Sequence, residues 1–567
     1  MRSKNYVIIA IILSAALAAF NYIGCGGGSS GSSRDTTAPT VSSKCPAANA
    51  INVALNAVIT ATFSEAMDPA TISSTTFTLY DYNAEEAIAS TVIYDEDSKT
   101  ATLTPAADLE LARLYQARIS VSVKDLAGNA ISGGMFYYSW TFFTRDGAWD
   151  TDLRIDTNET ANDPASPHVA MGPNGNGIAV WAQMTNTQYS ILASRYISGT
   201  GWAASELLET DDTNMALWPK VAIDSAGNAI CVWAQVSGSY LSVFANRYTE
   251  EGGWGGAEPI HPAATGDADA PQIAINPSGN AICVWQQSNG TTNSIWANTY
   301  ISPTGWGTLD ILEVGDGDAL NPQIAIDPSG NAIAVWSQVD GGQTNIMANY
   351  YDFSDTDWSG AETIDLESGV AANPQIALDP WGDGLAVWQQ VSGTYSSIFA
   401  SRYVSGTGWS AAILIETNET GNATLPRIAI DTQGFGIAVW QHEDLDVNRR
   451  DIWGAFYNCE GDDWLAPERL EASNENAGHL CPPLIAFDQD QRAMAIWVQS
   501  DGEYNNFYYN RYIYGLGWGS AGLFEAADGD VINQYALAFD LLGNAMAVWR
   551  HWGSTVDEIR ANRFIFE

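Results

Sequence analysis

From residue 146 to the C-terminus, one pattern of hydrophobic and polar positions recurs. A short apolar run ends in an Ala-Val-Trp type of phrase at Trp181, Trp233, Trp285, Trp336, Trp388, Trp440, Trp497 and Trp549. Successive spacings are 52, 52, 51, 52, 52, 57 and 52 residues. Within each copy the alternation predicts four strands; in the third they fall at 271–275, 280–285, 295–300 and from 305 to 312. No stretch has helical periodicity over a useful length. Four short strands at a period near 52 residues predict a propeller blade rather than a helical solenoid.

Comparing the copies sharpens this. An Ala sits mid-way along the first strand in all eight, from Ala170 to Ala538. Strands that crowd a central axis have room there only for a small side chain. A Pro is expected to begin that strand in seven copies, because the innermost strand is an edge. Gly175, Gly227, Gly279, Gly330, Gly382, Gly434 and Gly543 mark a hairpin turn. The last copy ends after its third strand, while residues 148–156 match the fourth strand of the fifth copy. The N-terminal segment is therefore expected to complete the last blade. The fold class is all-β: a sandwich followed by a closed eight-bladed propeller over 146–567.

Residues 37–145 carry six short strand-like runs between turn clusters, the size and pattern of a β-sandwich. The series Thr37-Ala38-Pro39-Thr40-Val41, Phe63-Ser64-Glu65-Ala66-Met67-Asp68, Leu103-Thr104-Pro105, Asp125-Leu126-Ala127-Gly128-Asn129 and Trp140-Thr141-Phe142-Phe143-Thr144 resembles the bacterial Ig-like domain of S-layer and other surface proteins. The resemblance implies a spacer or adhesion module with no catalytic residues. The 125–129 segment reads as an Asx/Gly turn rather than a metal loop.

Residues 1–24 read as an export signal. Arg2 and Lys4 precede an apolar run of 14 residues, long enough for a signal core and short for a spanning helix. Asn21-Tyr22-Ile23-Gly24-Cys25 resembles a bacterial lipobox, with Tyr22 where Leu is usual. The resemblance implies a lipid on Cys25; residues 25–36 then form a Gly/Ser tether. Gly26 after the Cys, by the same resemblance, favours the outer membrane over inner-membrane retention; the expected location is an outer-membrane lipoprotein exposed at the surface. The competing reading is a secretory signal cut earlier, at the Ala-rich 15–19 stretch.

Composition narrows the partners. The formal charge is −43, from 23 Lys+Arg against 66 Asp+Glu. That excludes a nucleic-acid partner, which needs clustered cations. The membrane contact expected is the N-terminal lipid alone. Cys231 and Cys283 fill a slot that is Ala elsewhere and read as small core residues. Cys459 and Cys481 fall on opposite blade faces, so no disulfide is expected between them. No catalytic set, metal-ligand spacing or phosphate loop appears, so no cofactor or metal is expected. The recurring turn residues Asp224, Asp327, Asp379, Asp431, Asp488 and Asp540 read as Asx turns.

One ring remains. Two residues after each core Trp stand Gln183, Gln235, Gln287, Gln338, Gln390, His442, Gln499 and His551. Two roles are open for it: capping of loop backbone groups, or a polar rim for a glycan. The acidic loops on that face, with Lys220 the one propeller lysine, point to cations or neutral sugars. The expected function is non-enzymatic glycan or protein recognition or adhesion. A propeller lyase or glycosidase, and a structural surface-layer component, are the alternatives.

Overall fold

The computed structural model describes residues 35–566, apart from short segments at 83, 85, 157–162, 186, 211–213, 262–265, 314, 316, 366–368, 418–420, 446–448, 472–476, 478–480, 490, 501, 526–529 and 553–556. The signal segment, Cys25 and nearly all of the tether lie outside the described residues. Among the described residues the regular elements are strands, with one 3-10 turn at Pro69–Thr71.

The first unit is two packed sheets. One joins Val41–Cys45, Ile59–Phe63, Thr100–Pro105 and Ser90–Asp95; the other joins Ala50–Val53, Tyr137–Thr144, Leu114–Ser120, Phe77–Asp81 and Glu86–Ile88. Strict alternation explains the packing: Ile59, Ala61 and Phe63 point inward on one sheet, Tyr115, Ala117 and Ile119 on the other. The strands number nine, where the sequence pattern predicts six. The apolar run 53–63 accounts for part of this, because a turn splits it between the two sheets. Asp125 is in a turn, as expected: its carboxylate accepts the Asn129 backbone N–H at 2.7 Å.

Residues 147–566 form eight antiparallel sheets. In the second repeat the strands run Ala216–Ile223, Ala229–Ser237 and Tyr240–Thr249. The outer strand is split there into Gly253–Trp254 and Glu258–Pro259, both paired to the third strand. Only the third repeat keeps it whole, as Gly305–Ile311. The second strands are buried along most of their length because neighbouring sheets cover both faces. All eight core Trp side chains are fully buried. Cys231, Cys283 and Cys481 are buried and Cys459 is half-buried, and all four are thiols rather than disulfides.

Each sheet packs on the next through the same contacts. Ile230 and Val232 of the second repeat meet Cys283 and Trp285 of the third. Met546 and Val548 of the eighth meet Ala179 and Trp181 of the first in the same way. A guanidinium also recurs over a Tyr of the following repeat: Arg195 over Tyr248, Arg247 over Tyr300 and Arg563 over Tyr196. The last of these joins the eighth sheet to the first. Residues Gly147–Trp149 and Leu153–Arg154 pair with the C-terminal strand Asp557–Phe566.

The Pro of the first strand is placed differently from the expectation. In the first six repeats the strand starts before it, and Pro lies in a β-bulge inside the strand. In the second repeat Leu217 pairs Ala234 while Lys220 pairs Val232, so the inner strand holds one extra residue. The residue before Pro is left-handed: Ser166, Trp218, Ala270, Asn321, Asn373 and Leu425 have φ between 50° and 57°. A bulge on an inner edge strand needs no N–H from Pro, which is why Pro fits. In the seventh repeat Pro483 directly precedes Leu484–Phe487, as the pattern predicts.

A buried charge cluster sits at the junction of the two units. Asp146 and Asp488 bind Arg511, which is 2% exposed, and Asp488 also accepts from Arg492 Nε at 3.0 Å. Nearby, Asn52 of the first unit donates to Tyr509 Oη at 3.3 Å.

Candidate functional site

The predicted ring lies inside the blades rather than on an exposed rim. Gln183, Gln235, Gln287, Gln338, Gln390, His442, Gln499 and His551 are all buried, at 3% exposure or less. In five repeats the Gln Oε1 accepts the indole N–H of the core Trp, as from Trp388 to Gln390 at 2.9 Å. Gln287 instead donates to the Gly266 carbonyl. His442 and His551 are held below the usual imidazole pKa, chiefly by burial. The six glutamines with these bonds therefore hold a Trp indole or loop backbone in place.

A second ring accompanies them, which the sequence reading did not isolate. After each outer strand comes Asp156, Glu209, His261, Glu313, Asp365, Glu416, Glu471 or Glu525. In five repeats the carboxylate accepts an N–H of the third strand, such as Ile346 N–H on Asp365 at 2.8 Å. Asp365 also lies 3.5 Å from Gln390 Nε2 of the next repeat. Burial raises its pKa to about 6. A polar group recurring at this offset is the signal that identifies the ring.

The outer Gly-Trp residues pack on Tyr. Trp202, Trp254, Trp306, Trp358, Trp409, Trp464 and Trp518 lie 5.2–5.5 Å from a third-strand Tyr ring. The turn Asp residues cap their own loops, as Asp327 does by accepting from Asn331 N–H at 3.0 Å.

What remains open is a cavity between the first strands. A cavity of about 660 Å³ is lined by the first strands of all eight repeats. The wall is set by one strand position, the residue after Pro in seven repeats. It reads His168, Lys220, Gln272, Gln323, Gln375, Arg427, Leu484 and Ala536. In the first six repeats a bulge precedes this position, which lines the cavity, while the Val or Ile after it packs into the apolar core. Sequence reasoning missed the site because its signal is variation: a changing polar slot between fixed neighbours, Pro before it and an aliphatic residue after.

Its electrostatics differ from the rest of the molecule. Burial, with Arg427 as the second cause, lowers the Lys220 ammonium to about 8. Arg427 is lowered to about 10, again chiefly by burial. His168 is pushed well below the usual imidazole range by burial and then by Lys220. Its Nδ1 accepts the Val221 N–H at 3.3 Å, which leaves the proton on Nε2. In a chain of formal charge −43, the described cavity lining thus holds two permanent cations, Lys220 and Arg427, against one carboxylate, Asp269.

This makes a testable sign. A lysine whose pKa falls on folding opposes folding while charged. The cost is complete below about pH 8 and is relieved as pH rises toward the unfolded value of 10.5. Lys220→Met is therefore expected to raise stability at pH 7, by up to ~3 kcal/mol. Thermal melts should show the gain shrinking between pH 8 and pH 10.5.

Comparison with known proteins adds the following. The family model for the bacterial Ig-like domain matches residues 35–144. The chain is similar in structure to a protein of unknown function from Dyadobacter fermentans, at 11% identity and TM-score 0.37, covering 74% of this chain and 100% of that one. It is similar to the Dos1 propeller at 9% identity and TM-score 0.43, covering 73% and 94%. It is also similar to the polysaccharide lyase Uly1 at 8% identity and TM-score 0.43, covering 74% and 99%. No curated protein matches the chain.

Proposed function

We propose that this chain is a lipid-anchored protein of the bacterial outer membrane, surface-exposed, in which an Ig-like stalk presents a closed eight-bladed propeller for glycan recognition. The observation that carries the recognition role is the channel: one cavity into which all eight repeats direct a side chain, polar or charged in six of them. A purely structural ring would do as well with the small residue seen at Ala536. Closure is supported by the eighth-to-first contacts, which repeat those between the other sheets.

The glycosidase alternative needs a close pair of carboxylates. Among the described lining residues Asp269 is the one carboxylate, and His168 commits its lone pair to Val221. A two-carboxylate glycosidase is therefore not the reading proposed, and recognition without turnover is. Incubation with a panel of neutral and acidic oligosaccharides tests it: retention without new chain ends is expected, and product formation would replace it by the enzyme reading.

The anchor has its own test. Growth with a fatty-acid analogue should label the wild-type protein and leave Cys25→Ala unlabelled. Equal labelling of both would remove the lipoprotein assignment.

A further inference from the structure

The chain carries a formal charge of −43, and its propeller contains a single lysine. That lysine, Lys220, lines the channel, as does Arg427. They come from the second and sixth of the eight lining strands, and so from opposite walls. Neither pairs with a carboxylate among the described residues; Arg427 donates to its own neighbour, the Pro426 carbonyl, at 3.0 Å. Asp269, the one described carboxylate of the lining, is bonded to Gln286. Two like charges thus face a shared cavity, and neither forms an ion pair with its one described carboxylate. Enclosed charge without a partner is costly, and an anion between them would remove the cost.

The surrounding groups suit hydroxyls. The Gln272 and Gln323 amides line the cavity and bond no protein group among the described residues. His168 offers Nε2–H. Trp218 lines the mouth, 38% exposed, on a left-handed backbone that a bulky residue adopts only under constraint. An exposed indole beside hydrogen-bonding amides is a surface on which a sugar ring can stack.

Resting on the reading of the channel as a recognition site, we infer that it takes an acidic saccharide, with a carboxylate or sulfate held between Lys220 and Arg427 and hydroxyls on the glutamine amides. The cavity of about 660 Å³ accommodates a small ligand rather than a polymer strand. The acidic exterior repels polyanions, so a chain end is the part expected to enter.

Calorimetric titration of the full chain in detergent tests this. The probes are short uronate oligomers, short sulfated oligomers and their neutral counterparts. At least one acidic class should bind at least ~10-fold more tightly than its neutral counterpart. Which class it is separates carboxylate from sulfate. Lys220→Gln and Arg427→Gln should each weaken that binding by ~10-fold while the thermal melt stays equal or rises. Equal affinity for neutral and acidic oligomers would overturn the charge inference and leave the recognition reading standing. Acid binding untouched by either substitution would place the anion elsewhere and overturn it as well. No binding of any probe, by a protein with an intact melt, would overturn both.

Discussion

Replacing residues 147–154 with a Gly/Ser stretch of equal length is expected to destabilise the propeller severely and make it aggregate. This segment pairs with the C-terminal strand along Gly147–Phe566, Ala148–Ile565 and Trp149–Phe564. Trp149 is stacked on Phe524 with ring centroids 4.2 Å apart and meets Tyr509 and Phe564 edge-on. Losing that indole alone costs ~3–5 kcal/mol. Removing the strand also exposes the backbone edge of residues 557–566 to other chains. Gly147 has a separate steric role: a Cβ there would lie 2.3 Å from the Ile565 carbonyl oxygen. A melt and light-scattering trace matching wild type would show that the eighth blade does not depend on this strand.

Arg511→Ala is the second large effect. Arg511 is almost fully enclosed and holds Asp146 and Asp488 together, with Arg492 beside them. Its removal leaves two buried carboxylates facing one guanidinium. Breaking a buried pair from one side costs ~3–5 kcal/mol because the remaining charge is uncompensated. Asp146 is in the junction between the two units, so limited proteolysis should cut there sooner in the variant. Arg511→Lys should recover part of the loss: it restores the charge but lacks the planar fork that reaches both carboxylates. A loss below ~1 kcal/mol in urea melts would mean the cluster relaxes to water.

The repeat architecture was legible because each blade repeats one packing problem. A buried Trp between sheets and a Gly at positive φ recur at a near-constant period, and each occupies the place its size or backbone demands. The strand supplied by residues 147–154 was legible by counting outer strands. The inner-strand Pro was misplaced because alternation does not reveal one extra residue in a bulge. The Gln/His ring was found, but sequence does not show that the indole beside it needs an acceptor within the blade. The channel stayed hidden for a different reason. Its lining position varies from Lys220 to Leu484, and period analysis rewards sameness. Only the geometry shows that Lys220 and Arg427, 207 residues apart in sequence, face one cavity.

A crystal structure of the protein with a bound acidic oligosaccharide tests the central claim most directly. The account predicts ligand density inside the channel, its anionic group contacting Lys220 and Arg427 and its hydroxyls within hydrogen-bond distance of Gln272 and Gln323. Ordered ligand on an outer blade surface or on the Ig-like unit, with only water in the channel, would contradict it.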